Sequence, residues 1–143
     1  MKKYDKRNEE DLLEGLEDSE LKNVEIISSD EIRKKMIDKF IKTNPIPNRY
    51  DDRFFLNLID SSTILKNPYC IEVLKNNPQT GKFYMFAEQS KSCLILNNWE
   101  EVIEILENLP YMNVYILDEQ FSYVISVTQE DNMVYTGIEL KKP

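Results

Sequence analysis

Residues 97–137 most constrain what this chain can fold into, because their hydrophobic periodicity switches from helical to strand-like within one stretch. Asn98-Trp99-Glu100-Glu101 has the form of a helix start. An Asn at the cap can accept from a free backbone N–H, and a Glu at the third helical position can reach back. Trp99, Val102, Ile103, Leu106 and Leu109 recur at spacings of three and four, which predicts one buried face. Glu100, Glu101, Glu104 and Glu107 fall on the other. Pro110 ends the helix, since the residue before a proline is pushed out of the helical region. Three β-rich runs follow, at 112–117, 121–127 and 133–138. The middle one alternates Phe121, Tyr123, Ile125 and Val127 against Ser122, Val124 and Ser126. That period of two, with a polar-leaning second face, predicts an antiparallel strand packed on one side. Gly137 marks a bulge or bend in the last strand.

Upstream the signals are shorter. Residues 1–20 mix both charge signs around Leu12, Leu13 and Leu16, and predict a flexible or marginally helical tail. Residues 21–27 suit a short strand or an extended lead-in. Ser28 and Glu31 form a second capping signal for a helix with Ile32, Met36, Ile37, Phe40 and Ile41 on one face. Arg33, Lys34, Lys35, Lys39 and Lys42 lie around the other face, and Asn44-Pro45-Ile46-Pro47 stops the helix. Asp51-Asp52 can cap a short helix that buries Phe54, Phe55, Leu58 and Ile59. The run 69–74 fits helix and strand equally. A turn at 76–81, an inner strand at 83–87, a turn at 89–91 and a strand at 93–96 complete the chain. The expectation is an α+β fold. A tail (1–20) precedes a single domain (21–143) whose N-terminal helices pack on one face of a largely antiparallel sheet. The C-terminal half runs strand-strand-helix-strand-strand-strand.

Composition removes most chemistry. The chain of 143 residues has no histidine, so triads built on that base are excluded. Three glycines cannot build a phosphate-cradling loop, and no dinucleotide fingerprint is present. Two separated cysteines, Cys70 and Cys93, suit buried thiols better than a zinc site or a bridge. No catalytic residue, metal or cofactor is expected. No charged-then-apolar leader opens the chain and no run approaches a membrane span, so the expected location is cytoplasmic and reducing.

Charge is the remaining feature. The formal net charge is −8. From residue 97 onward nine acids face only Lys141 and Lys142, whereas residues 31–53 hold seven bases against four acids. The candidate partner-binding set is Glu100, Glu101, Glu104, Glu107, Asp118, Glu119, Glu130 and Asp131. Such a face repels nucleic acid and anionic membrane and steers a basic protein toward it. Direct nucleic-acid binding through the basic helix stripe is not expected in so acidic a chain.

Phe83-Tyr84-Met85-Phe86-Ala87-Glu88, the helix at 99–109, Val114-Tyr115-Ile116-Leu117-Asp118, Phe121-Ser122-Tyr123-Val124-Ile125 and Gly137 resemble a small uncharacterised bacterial family. It is of the immunity type found beside secreted toxins. The likeness spans about the last sixty residues and is mainly hydrophobic pattern. Where such sequences often carry a Trp and then a His pair, this chain has Tyr123 and Gln129-Glu130, and no catalytic residue transfers. The resemblance implies an immunity or antitoxin protein occluding a basic partner such as a nuclease toxin. A carboxylate-based enzyme and a structural subunit are the alternatives. Partner identity and oligomeric state are not encoded in any motif.

Overall fold

The computed structural model describes residues 6–41, 63–66 and 69–141. In chain order the elements are α1 (Lys6–Asp18), β1 (Glu25–Ser28), α2 (Asp30–Phe40), β2 (Thr63–Leu65), α3 (Cys70–Lys75), β3 (Phe83–Ala87), β4 (Ser92–Leu96), α4 (Trp99–Glu107), β5 (Val114–Asp118), β6 (Val124–Val127) and β7 (Met133–Thr136). The strands form one sheet in the order β1-β4-β3-β5-β6-β7-β2. Every pairing is antiparallel. The α+β class and the order of elements from β3 to β7 are as expected. The expected helix after Asp51-Asp52 and the stop at Asn44–Pro47 lie outside the described residues.

Both faces of the sheet are covered, which differs from the expected one-sided packing. Helices α1, α3 and α4 share a core with Phe83, Met85, Ile116 and Ile125. Helix α2 lies on the opposite face with Phe86, Tyr115, Leu117 and Val124. Successive strand residues point to opposite faces, and β3 and β5 are apolar in both registers, so neither face can be left to water. Ser126, taken from sequence as part of a polar-leaning face, is fully buried on the α2 side.

The local signal at α4 holds. The Asn98 side chain accepts from the Glu101 N–H at 2.9 Å, and Glu101 Oε1 accepts from the Asn97 N–H at 2.7 Å. The buried stripe is Trp99, Val102, Ile105 and Leu106, with Ile103 and Leu109 half-buried. Ile105 belongs to it and Ile103 only borders it, because α4 packs against both the sheet and a neighbouring helix. Trp99 is a core anchor: its ring meets Phe83 edge-on at 5.1 Å and its N–H donates to the Leu74 carbonyl at 2.8 Å. That bond satisfies a polar group whose burial unpaired would cost about 1–3 kcal/mol, and it ties α3 to α4.

Two N-terminal expectations change. The charged opening forms α1, with Leu12 fully buried. Asn8 donates to the Glu88 carbonyl at 2.8 Å, and the Glu9 carboxylate accepts from the Ser92 N–H and hydroxyl at 2.8 and 2.7 Å. Partners some eighty residues away hold this segment, so local composition could not announce it. At α2 the cap is Ser29, not Ser28, and its hydroxyl donates to the Ser90 carbonyl at 2.7 Å instead of capping. Arg33, assigned from sequence to the basic outer face, is fully buried. Its guanidinium donates to the Ser29 hydroxyl and lies 4.9 Å from the Phe86 ring centroid.

Candidate functional site

The fold gathers acid on one side of the sheet. The layer of α1, α3 and α4 holds eleven acids (six on α1, one on α3, four on α4) against Lys6, Arg7 and Lys75, a net of −8. Helix α2, on the far face, holds three acids against four bases, a net of +1. With Arg33 buried, the solvent-accessible charges of α2 balance, so the acidic excess among these helices lies on one side of the sheet.

The eight candidate carboxylates do not form one cluster. Glu100 is exposed, and Glu104 is half-buried. Glu101 is engaged at the α4 cap. Asp118 is only 7% exposed, and its Oδ1 accepts from the Ser122 and Tyr123 N–H groups at 2.6 and 3.0 Å. It holds the β5–β6 turn. Glu119 is exposed in the same turn, whereas Glu130 and Asp131 belong to the β6–β7 turn at the other end of β6. Register puts Leu96, Phe83 and Asp118 level at one end of the sheet, where α4 begins.

At the other end, Glu107 and Asp131 line one cleft of about 330 Å³. Its walls are largely apolar, with Leu106, Met112, Val114 and Val127 among them, and among the described residues no lysine or arginine lines it. Tyr111 stands at its edge, 79% exposed. Glu107 also lies 4.0 Å from Lys75 Nζ, both side chains being 44% exposed. The Cys70 thiol faces the cleft 3.5 Å from the Asp131 carbonyl oxygen. Burial, with the Asp131 carboxylate adding to it, pushes this thiol well above its usual range, so it is not a nucleophile at neutral pH. Both cysteines are free and buried. A second cleft, of about 240 Å³, lies across the Pro110–Met112 connection. It contains its own cation, Arg7, which pairs with Asp11 at 3.9 Å.

Sequence reasoning missed Tyr111 and the acids of α1. Tyr111 sits between periodic runs, beside Pro110, where nothing in the pattern marks it. The α1 acids were assigned to a tail. Among the described residues, no group of three or more metal-ligating side chains is placed to hold an ion, and no helix is long and apolar enough to cross a membrane. Comparison with known proteins gives no matching family model, no matching curated protein and no matching solved structure.

Proposed function

We propose that this chain is an acidic protein-binding module of the immunity or antitoxin type, acting in the cytoplasm by occluding a basic partner such as a nuclease toxin. One observation carries the reading: the helical layer on one face bears a net charge as large as that of the whole chain, while the solvent-accessible charges of α2 opposite balance. Such a dipolar distribution steers a basic surface to one side and sets the association rate more than the final affinity. Glu100, Glu104 and Glu107, all solvent-accessible on α4, are the acids best placed to meet it. Asp118 contributes through the turn it holds, and Glu101 through the cap.

The carboxylate-enzyme alternative needs acids converging in a desolvated pocket. Glu107 and Asp131 line the same cleft, but both are solvent-accessible and Glu107 is paired with Lys75, which favours binding over catalysis. The test is capture from the native host's lysate at low and then moderate salt, with identification by mass spectrometry. A single basic protein released as salt rises, and not retained by the Glu100→Lys/Glu104→Lys variant, is the expected result. An empty bait at both salts, or equal retention by the variant, contradicts the proposal.

A further inference from the structure

We infer that the cleft between the end of α4 and the β6–β7 turn receives a cationic side chain, an arginine or lysine, from the basic partner. This rests on the binding reading and adds to it the part of the partner that enters. The cleft joins three properties that separately mean little. Its walls are apolar, formed by residues such as Leu106, Met112 and Val127. Two carboxylates from different elements, Glu107 and Asp131, reach its lining, and among the described residues no cation does. Tyr111 offers an exposed ring at the edge.

A long basic side chain matches all three, with its methylene stem against the apolar wall and its charged head at the carboxylates. A guanidinium can stack on the tyrosine and bond a carboxylate through two parallel N–H groups. Lys75, already 4.0 Å from Glu107, shows that this carboxylate accepts a cation from outside the cleft lining. The neighbouring cleft differs in carrying a cation, Arg7, within its own lining, 3.9 Å from Asp11.

The test titrates the isotope-labelled full chain with the capped peptide Gly-Arg-Gly, and separately with Gly-norleucine-Gly, which keeps the stem and removes the charge. Shifts in the amide spectrum confined to Cys70, Tyr111, Val127 and Asp131, at least about fivefold weaker with the norleucine peptide, are expected. The Glu107→Gln/Asp131→Asn variant should lose the difference between the peptides while keeping a folded spectrum; Asn is well suited to the positive φ of 58° at position 131. Equal shifts from both peptides, shifts elsewhere, or no loss in the variant overturn the inference. The two readings separate on the captured partner. Weakening by Glu100→Lys/Glu104→Lys without any effect of Glu107→Gln/Asp131→Asn removes the cleft and leaves the acidic layer. No effect of either pair removes both.

Discussion

Asp118 shows how one side chain can carry charge and yet serve the fold. Its carboxylate accepts from the Ser122 N–H and from the buried Tyr123 N–H. Asp118→Ala strands those donors and should cost about 2–3 kcal/mol, whereas Asp118→Asn keeps an acceptor and should cost about 1 kcal/mol. Urea unfolding followed by the fluorescence of Trp99, the sole tryptophan, checks both. Gly137 serves the same turn from the other side. It has φ of +87°, and a Cβ there would collide with the Ser122 carbonyl and stand 2.9 Å from the Tyr123 Cα. Since both obstacles are backbone, Gly137→Ala should cost about 2 kcal/mol or more by the same measurement. Cys93 gives a pH dependence. Burial pushes its thiol from 9.0 up to about 12, with nearby Arg33 opposing. The folded value lies above the unfolded one, so the unfolded chain loses its proton first. The thiol's contribution is full below pH 9 and falls as pH rises toward 12, by about 1.4 kcal/mol per pH unit. Unfolding curves of the native chain and Cys93→Ala across that window should converge as pH rises.

At the scale of elements, what was legible depended on how local the determinant was. The cap of α4 needs only Asn98 and Glu101, and both could be identified in the sequence and do that work. The strands from β3 to β7 announce themselves by period and punctuation. Helix α2 shows an apolar stripe in sequence, but a stripe does not say which face of a sheet it will cover. Nor does it say that Arg33, beside that stripe, will be buried against Phe86. For α1 composition allows a marginal helix, but its docking was illegible because Glu9 and Asn8 are held by Ser92 and Glu88. The same holds for the site: each acid could be named, but turn geometry turned Asp118 to the backbone N–H groups and placed Asp131 on the cleft that Glu107 also lines. Glu9→Ala removes the latch on β4 and should cost about 1–2 kcal/mol. Hydrogen exchange should then quicken across α1 while β3 and β5 keep their protection. Rapid exchange of α1 in the native chain would contradict the docked helix.

For the whole molecule, the argument turns on charge across the sheet. An evenly charged acidic protein would attract a basic partner from any side. Here α1, α3 and α4 present the negative layer and α2 a balanced one, its excess cation Arg33 being buried, so approach should be one-sided and weakened by salt over a Debye length of about 8–10 Å. The most direct measurement is the association rate of the captured partner with three proteins across a salt series. They are the native chain, Glu100→Lys/Glu104→Lys on the acidic layer, and Lys34→Glu/Lys39→Glu on α2. The acidic-layer variant should associate about tenfold or more slowly at low salt and approach the native rate as salt rises, with the α2 variant unchanged or faster. Equal slowing by both variants, or none by the first, would contradict a partner-facing acidic layer.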